Sequence, residues 1–329
     1  MSTVFVLGAN SFAGSVFVDA ALTAGHDVLG INRSPEGLPM FLPYRSNSRA
    51  SNYQFRQLDI NHHLDEICGW MDDARPEYVV DFAGQGMVAE SWSAPEQWYT
   101  TNIVSKVRLH ERLRRQAWLK KYVRVSTPEV YGSTAGMIPE SQIYRPSTPY
   151  AVSHAAIDMS LAAFHANYGF PVVFTRFANF FGPGQQLYRI VPRTLIYGRM
   201  GKTLQLHGGG TSVRAFIHGR DVASGLLAAM DRGDPGGVYH FSTNRFLTIR
   251  EAVEIMCRRM GLDFDAAVRV APDRPGKDQA YLMNSTHARE SLGWIDTVDF
   301  ETGVDETLAW VDQNLAIIRT LGLDYAHKP

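Results

Sequence analysis

Short apolar runs alternate with longer amphipathic stretches along the first 250 residues. The runs cover residues 4–7, 28–31, 78–82, 122–126, 172–175 and 238–242, and a further strand is predicted over the more polar residues 55–58. Runs of this length without polar alternation are typical of strands that are covered on both faces. Helices are predicted between and after them, over residues 15–24, 64–71, 98–116, 151–168 and 248–260. Strands that alternate with helices predict an α/β fold with a doubly wound parallel sheet.

The composition is that of a globular protein and excludes several classes of function. The chain has 329 residues, of which 45% are hydrophobic, and its formal net charge of −1 argues against a general nucleic-acid binder. Its two cysteines, Cys68 and Cys257, are far apart, so we expect neither a disulfide framework nor a metal site. No apolar run reaches the ~18 residues of a membrane span, and the first residues do not resemble a signal peptide. We therefore expect a cytoplasmic protein without membrane or nucleic-acid partners.

A glycine-containing turn follows the first strand. It is Gly8-Ala9-Asn10-Ser11-Phe12-Ala13-Gly14, directly before the first predicted helix. Glycines allow the tight turn and the close packing of helix on strand, and a helix N-terminus favours a pyrophosphate. The pattern predicts a dinucleotide site at residues Gly8, Asn10, Ser11, Phe12 and Gly14, although a plain turn between strand and helix would look similar. Ser11 stands where the usual pattern has its middle glycine.

The end of the second strand bears on the type of cofactor. An acidic residue there would bind the ribose hydroxyls of NAD, whereas this chain has Asn32-Arg33-Ser34. Arg33 and Ser34 suit a 2′-phosphate, which favours NADP slightly over NAD. The alternative is that Arg33 is a solvated surface residue. Asp59 and Ile60, after the third strand, are expected beside the adenine, unless Asp59 only forms a turn.

Together these features predict a two-part chain. Residues 1–175, with about 222–246, are expected to form a Rossmann-like dinucleotide-binding domain. Glycine, proline and aromatic residues become frequent after Arg176. Residues 176–221 and 247–329 are therefore assigned to a smaller, mostly helical lobe. The cleft between the two parts is the expected ligand site.

Several motifs follow the carboxyl ends of the predicted strands or open the next helix. They include Ser126-Thr127-Pro128-Glu129-Val130-Tyr131-Gly132, Tyr150-Ala151-Val152-Ser153-His154 and Arg176-Phe177-Ala178-Asn179-Phe180-Phe181-Gly182. Later matches are Arg214-Ala215-Phe216-Ile217-His218, Asp273-Arg274-Pro275-Gly276-Lys277-Asp278 and Leu292-Gly293-Trp294. In combination they resemble the extended short-chain dehydrogenase/reductase family, in its nucleotide-sugar epimerase/dehydratase branch. The resemblance covers essentially the whole chain.

The resemblance implies four catalytic positions. Thr127 would hold the sugar hydroxyl at C4, and Tyr150 would take its proton as hydride moves to the nicotinamide. Glu129 matches the acid that removes the C5 proton in dehydratases, and Pro128 stands where they have a second acid or a serine. His154 occupies the position of the family's lysine, one helical turn after Tyr150. The charge of a histidine at neutral pH is not fixed by the sequence, so we expect altered redox chemistry.

The resemblance also implies the remaining contacts. The segment around Ala83-Gly84-Gln85 is similar to that of GDP-mannose and CDP-glucose 4,6-dehydratases. Gln85 and Ser91 would lie beside the sugar, and the same resemblance implies cofactor contacts for Ala83, Gly84, Gln85, Asn102, Tyr150, His154 and Phe177. Residues implied to hold the nucleotide and its diphosphate are Asn179, Tyr188, Arg189, Arg214 and Arg274.

The sequence thus indicates a nucleotide-sugar 4,6-dehydratase that recycles its nicotinamide cofactor. The product would be a 4-keto-6-deoxy sugar nucleotide for polysaccharide or metabolite glycosylation. A 4-epimerase and a hexuronate decarboxylase of the same family remain as alternatives. The alternative from another class is a protein that has lost catalytic activity and only binds the cofactor or the sugar nucleotide. It is kept because Ser11, Pro128 and His154 all depart from the family pattern. The resemblance further implies a homodimer through the helices predicted at 98–116 and 151–168.

Overall fold

The computed structural model describes residues 2–134, 136–272 and 282–328. The strands within these ranges are β1 (Thr3–Leu7), β2 (Asp27–Asn32), β3 (Tyr53–Gln57), β4 (Tyr78–Asp81), β5 (Lys121–Val125), β6 (Met137–Ile138), β7 (Val172–Phe177), β8 (Asn179–Phe181), β9 (Leu204–His207), β10 (Val213–His218), β11 (Val238–Phe241), β12 (Phe246–Thr248), β13 (Val268–Ala271) and β14 (Leu282–Met283). The helices there are α1 (Phe12–Thr23), α2 (Leu64–Ala74), α3 (Val88–Ser91), α4 (Pro95–Tyr99), α5 (Lys106–Leu113), α6 (Pro149–Tyr168), α7 (Ile190–Arg199), α8 (Gly219–Arg232), α9 (Ile249–Met260), α10 (Phe264–Ala267), α11 (Thr286–Leu292) and α12 (Phe300–Ile318).

Seven of these strands form the main sheet, in the order β11-β7-β5-β4-β1-β2-β3. Every neighbouring pair is parallel, so the predicted α/β class and doubly wound sheet are confirmed. The chain moves from β1 to β2 and β3 on one side and returns to β4 on the other. In open α/β sheets, ligands bind outside the carboxyl ends of the strands at such a reversal. Leu7 and Asp81 therefore mark the expected position of the site.

Smaller sheets and helices surround a second apolar core. Strand β10 pairs in parallel with β8 and antiparallel with β12, while β13 pairs with β9. Helices α7, α9 and α12 contribute buried residues to this core, among them Leu195, Met256 and Val304. Helix α9 begins with the predicted capping box, in which Thr248 and Glu251 bond to each other's backbone N–H.

The helix predicted over residues 98–116 is interrupted. The chain forms α4, then a π-helical turn over Thr100–Ser105, and then α5, which ends at Leu113. Asn102 lies in the π-helical turn and bonds to the backbone of Gln85 after β4. Periodicity could not predict this irregularity, because it is set by a contact between two segments that are distant in sequence. Among the described residues, no helix is long and apolar enough to cross a membrane.

Candidate active site

The turn between β1 and α1 has the geometry of a phosphate cradle. Gly8 has a φ of +81°, and a Cβ at this position would lie 2.9 Å from the Ala83 nitrogen. A Cβ at Gly14 would lie 2.3 Å from the Gly8 carbonyl oxygen. The Ser11 hydroxyl donates to the Gly8 carbonyl at 2.8 Å and accepts from the Gly14 N–H at 3.0 Å. Ser11 thus caps α1 from within the loop, and the loop and helix N-terminus fit a pyrophosphate.

The polar residues at the end of β2 bond to one another and to the last described residues of the chain. The Asn10 and Asn32 amides both donate to the Ser34 carbonyl, at 3.3 and 3.2 Å. The Arg33 guanidinium donates to the Lys328 carbonyl at 2.9 Å, and the Lys328 ammonium donates to the Ser34 hydroxyl at 3.3 Å. The two basic side chains of Arg33 and Lys328 therefore lie where a ribose 2′-phosphate was expected.

The two residues expected beside the adenine have local roles. The Asp59 carboxylate accepts from the Asn61 N–H at 2.8 Å, which is the geometry of an Asx turn. Ile60 is 6% exposed and packs in the core beneath the sheet. Asp59 thus forms a turn in this structure, and its place beside the adenine stays a prediction.

The segment Tyr325–Lys328, here called the tail, crosses the carboxyl edge of the main sheet. The Lys328 carbonyl accepts from Gln85 after β4 at 3.0 Å, in addition to its bond from Arg33 after β2. The His327 ring stacks on Trp98 with centroids 5.4 Å apart, and its Nε2 lies 2.7 Å from the Gln97 amide oxygen. The sequence analysis missed this segment, because no motif links residues that are more than 200 positions apart.

A cleft of about 660 Å³ opens beside the same edge of the sheet. Predicted site residues that line it are Thr127, Glu129, Tyr150, Phe177, Asn179, Tyr188, Arg189 and Arg214. Polar or aromatic lining residues that the sequence analysis missed include Trp92, Gln185, Arg193, Tyr197, Gln205 and His207. The structure thus brings three of the four predicted catalytic residues and most of the predicted diphosphate ligands into one cavity, whereas His154 is not among its lining residues. Arg274 lies outside the described residues.

Thr127 and Glu129 are held by a 3-10 turn over Pro128–Tyr131 that follows β5. Thr127 is the N-cap of this turn, and its hydroxyl oxygen accepts from the Glu129 N–H at 3.3 Å. Proline suits the first position of such a turn because its φ is fixed and its missing N–H is not needed. Pro128 is buried and shapes the turn that carries both polar side chains into the cleft.

Tyr150 lies in the first turn of α6, where several side chains fix the backbone. Thr148 caps the helix by accepting from the Ala151 N–H at 3.1 Å. The Tyr150 N–H donates to the Ser91 hydroxyl at 3.2 Å, and the Ser153 hydroxyl donates to the Tyr150 carbonyl at 2.7 Å. Ser91 is fully buried and also donates to the Val88 carbonyl at 2.6 Å.

Ser91 and Gln85 were expected beside the sugar, and that contact stays a prediction. Neither is among the residues that line the cleft. The Ser91 hydroxyl is engaged with backbone groups, so it supports the beginning of α6. Gln85 is 3% exposed, and its amide points to the tail. Ala83 and Gly84 precede it, with Gly84 close to the Asn102 amide that holds this loop.

His154 lies one turn after Tyr150, and the two ring centroids are 4.6 Å apart. Its Nδ1 is 3.0 Å from Nη2 of Arg124 on β5. A guanidinium can only donate, so Nδ1 accepts and the proton of the neutral ring lies on Nε2. Burial, followed by the charges of Arg124 and Lys106, lowers the pKa of His154 well below its usual value. The ring is therefore neutral at physiological pH.

Behind His154 lies a buried network of charged side chains. The Asp158 carboxylate accepts from Arg124 and Arg176, each at 3.1 Å, and the Asp81 carboxylate accepts from Lys106 at 2.6 Å. Three cations thus face two carboxylates, and all five side chains are at most 1% exposed. The sequence clue was a charged residue inside an otherwise apolar strand, at Asp81, Arg124 and Arg176.

Aromatic and basic residues from the region after β7 form the rest of the cleft wall. Phe12 of the glycine turn stacks on Phe180 with centroids 5.2 Å apart, and Phe180 contacts Phe177 edge to face. Arg214 on β10 is 8% exposed and donates to its neighbouring Val213 carbonyl at 2.8 Å. Phe177 and Phe180 therefore join the predicted cofactor loop to the cleft that Arg214 lines.

Comparison with known proteins places this arrangement in a family. Residues 5–307 match the family model of GDP-mannose 4,6-dehydratase. The chain is 34% identical to dTDP-glucose 4,6-dehydratase of Streptomyces antibioticus over 245 residues, which covers 74% of this chain and 72% of that protein. The structure is similar to the crystal structure of DesIV, a dTDP-glucose 4,6-dehydratase from Streptomyces venezuelae with NAD bound. In that comparison the TM-score is 0.86 and the identity 29%, over 96% of this chain and 98% of the other.

A plant relative is longer. The chain is 30% identical over 241 residues to an Arabidopsis thaliana trifunctional UDP-glucose 4,6-dehydratase/UDP-4-keto-6-deoxy-D-glucose 3,5-epimerase/UDP-4-keto-L-rhamnose-reductase. The match covers 72% of this chain and only 36% of the plant protein. The similarity therefore concerns about a third of that protein's length.

Proposed function

The chain belongs to the GDP-mannose 4,6-dehydratase family, and on that premise we propose that it is a nucleotide-sugar 4,6-dehydratase. The observation that carries the proposal is the cleft that Thr127, Glu129 and Tyr150 line together. A simple 4-epimerase has no need of a carboxylate at the position of Glu129. The same cleft contains Arg214 and Arg189, whose guanidinium groups suit a diphosphate.

In this proposal the glycine turn and α1 hold a nicotinamide dinucleotide, with His154 donating from Nε2 toward the nicotinamide ribose. The cofactor supplies hydride acceptance from the sugar C4 and hydride return to C6. Thr127 holds the C4 hydroxyl, and the Tyr150 phenolate takes its proton while C4 becomes a ketone. The half-buried position of Tyr150 at the cleft wall supports this role.

Glu129 is assigned the elimination step. The C4 ketone acidifies the C5–H bond, so a carboxylate can remove that proton as the C5–C6 double bond forms. The C6 hydroxyl then departs as water, for which the newly protonated Glu129 returns the proton. Pro128 cannot donate a proton, so one carboxyl group serves both as base and as acid. As C6 is reduced, C5 takes up a proton from solvent, and Tyr150 releases the proton of the C4 hydroxyl to solvent, which restores its phenolate. The product is a 4-keto-6-deoxy sugar nucleotide.

For the cofactor we propose a preference for NADP over NAD. β2 ends in Asn32, so no carboxylate at that position repels a 2′-phosphate, and Arg33 and Lys328 bring two cations there. The solved relative from Streptomyces venezuelae contains NAD. The choice is tested by the dissociation constants of both cofactors. Arg33→Ala should weaken NADP binding about tenfold more than NAD binding, because only NADP has a 2′-phosphate for it to bind.

We also propose a homodimer through the α4–α5 segment and α6. Both elements carry exposed apolar side chains, which soluble surfaces rarely expose in groups. They are Tyr99, Val104, Val152 and Met159, between 36% and 53% exposed.

The function is tested by incubating the protein with GDP-, CDP-, UDP- and dTDP-linked hexoses, together with NAD or NADP. The masses of the products are then measured by mass spectrometry. A product lighter by one water that is trapped as a ketone supports the dehydratase and identifies its substrate. Loss of carbon dioxide from a hexuronate would indicate a decarboxylase instead, and an isomer of unchanged mass an epimerase. No product with any donor would favour a retired site.

A further inference from the structure

We propose that Arg124 and His154 together replace the lysine that is missing from the turn after Tyr150. Arg124 contributes the permanent positive charge, and His154 contributes the hydrogen-bond donor. Arg124 is then a positioning residue, because it acts through His154 and through its field. This inference rests on the proposed function, in which Tyr150 must ionise to take a proton from the sugar.

A lysine ammonium combines two properties that histidine cannot combine at this position. It carries a charge that favours a nearby phenolate, and it donates hydrogen bonds. Protonation of His154 on Nδ1 would remove the lone pair that accepts from Arg124 and would put two cations 3.0 Å apart. His154 therefore keeps the donor at Nε2 and leaves the charge to Arg124.

Arg124 is fixed so that its charge stays in place. Its Nε donates to Asp158 at 3.1 Å, its Nη1 to the Val125 carbonyl at 2.7 Å and its Nη2 to His154. The side chain is 1% exposed, and a guanidinium does not lose its proton in proteins. Nη1 also lies 3.7 Å from the Asp81 carboxylate. These contacts fix the position of the cation, and the bond from Nη2 sets the tautomer of the His154 ring.

The surrounding charges leave the site net positive. The groups that face His154 are Arg124 from β5, Lys106 from α5 and Asp158 from the next turn of α6, with Tyr150 before it. Asp158 is shared with Arg176, and Asp81 is paired with Lys106. Asp81 also lies 3.7 Å from Nη1 of Arg124. The carboxylates are still fewer than the cations, and Arg124 is the cation that lies at the Nδ1 side of the ring.

The first test observes His154 directly in the unaltered protein and without turnover, and it uses a variant only to assign the signals. Protein labelled with ¹⁵N at histidine is titrated from pH 5 to pH 8, and the His154 resonances are identified by their loss in His154→Gln. We expect a neutral ring that is protonated on Nε2 over this entire range. A ring protonated on Nδ1, or an imidazolium at pH 7, would overturn the proposal.

The second test removes the cation. Arg124→Met should allow both tautomers of His154 and should let the ring take up a proton between pH 5 and pH 7. Arg176→Met is the matched control, since it removes an equally buried arginine from the same Asp158, whereas the bond to His154 comes from Arg124. It should leave the tautomer unchanged. If Arg176→Met had the same effect as Arg124→Met, the tautomer would depend on general packing and the proposal would be wrong.

The third test restores the lysine. At a fixed pH, Arg124→Met should lower both the phenolate fraction of Tyr150 and kcat, each by about ten- to hundredfold. The phenolate fraction is followed by its ultraviolet absorbance. Adding His154→Lys to Arg124→Met should recover most of the phenolate fraction and most of kcat. His154→Lys alone should not increase either, because the new ammonium would lie against Arg124. Recovery by His154→Lys alone, or none in the double variant, would refute the division of roles.

These outcomes separate the inference from the proposed function. If no nucleotide sugar is turned over but His154 has the expected tautomer, the dehydratase proposal fails and the pairing of Arg124 with His154 stands. If a sugar is dehydrated while His154 is protonated on Nδ1, the function stands and this inference is rejected.

Discussion

The side-chain amide of Asn102 bonds to both peptide groups of Gln85. Its Oδ1 accepts from the Gln85 N–H at 2.8 Å, and its Nδ2 donates to the Gln85 carbonyl at 3.1 Å. The same Nδ2 donates to the Ser153 hydroxyl at 2.9 Å, which in turn donates to the Tyr150 carbonyl. One buried side chain therefore joins the loop after β4 to the turn of α6 that carries Tyr150.

Replacing this amide should destabilise the fold. Asn102→Ala would leave the N–H and the carbonyl of Gln85 buried without their partner. Each such group costs about 1–3 kcal/mol, so we expect the free energy of unfolding to fall by about 3 kcal/mol. Asn167→Ala is a matched control on α6, because the Asn167 amide is exposed and donates only to the Ala163 carbonyl. Its effect, measured by urea denaturation, should stay within about 0.5 kcal/mol. Equal losses would contradict this account of Asn102.

The sequence predicted the parts of the fold that depend on local pattern. Strands that are buried on both faces leave continuous apolar runs, so six of the seven predicted strands follow from such runs. The seventh, β3, is an exposed edge strand with Arg56 and Gln57 in it. The glycine turn was predictable because Gly8 needs a positive φ and Gly14 tolerates no Cβ. The motif after β5 likewise indicated a cleft residue at Glu129.

Contacts between distant segments escaped the sequence analysis. Whether Arg124 would pair with His154, 30 positions later, depends on the packing of α6 on β5. The π-helical turn at Asn102 follows from its partner after β4, and no periodicity encodes it. The resemblance implied a lysine where this chain has His154, but the contact with Arg124, which we propose supplies the charge, is visible only in three dimensions.

The role of Glu129 predicts a stalled reaction. Glu129→Gln should still support oxidation at C4, because Thr127 and Tyr150 are intact, but should not remove the C5 proton. We expect water loss to fall by about 10²- to 10⁴-fold, with a reduced cofactor and a 4-keto hexose left on the protein. Tyr150→Phe is the comparison, since it should prevent the first step and leave the cofactor oxidised. Near-ultraviolet absorbance and mass analysis of the trapped ketone distinguish the two. Normal water loss in Glu129→Gln would remove it from the mechanism.

Buried histidines should make the fold sensitive to mild acid. Burial lowers the pKa of His110 and of His240 to about 3, and that of His154 lies well below its usual value. Each folded-state pKa is thus below the unfolded value of ~6.5, so the unfolded chain binds more protons and stability falls as the pH drops through that value. Between pH 7 and pH 5.5 each ring should cost about 1 kcal/mol of unfolding free energy, or about 3–4 kcal/mol together.

Urea denaturation at the two pH values measures this loss. His110→Gln should reduce the loss of unfolding free energy between pH 7 and pH 5.5 by about 1 kcal/mol, because one buried ring no longer resists protonation. His62→Gln is the control, since His62 is exposed and should leave the difference unchanged. If both variants behaved like the parent protein, the acid sensitivity would arise from other groups.

The proposed dimer should dissociate when its apolar surface is charged. Val104 and Met159 are 45% and 53% exposed, on the π-helical turn before α5 and on α6. Placing a carboxylate at either position in an interface would leave a buried charge without a partner. Val104→Asp and Met159→Asp should therefore shift the mass measured by light scattering from dimer to monomer. Ile295→Asp, at a site that is 62% exposed between α11 and α12, should have no effect. A dimer in all three variants would exclude this interface.

The tail should compete with the cofactor, because its Lys328 carbonyl engages Gln85 and Arg33, two of the residues expected to contact the dinucleotide. A variant that ends at Asp324 lacks the Lys328 carbonyl, so the side chains of Gln85 and Arg33 become available to the cofactor. Each of the two hydrogen bonds that the tail no longer makes contributes a net of about 1 kcal/mol. We therefore expect NAD, which has no 2′-phosphate for Lys328 to bind, to bind about tenfold more tightly in titrations followed by fluorescence. His327→Ala should give part of this gain, since it loses only the stacking on Trp98 and the contact with Gln97. Weaker binding after truncation would mean that the tail closes over the cofactor and holds it.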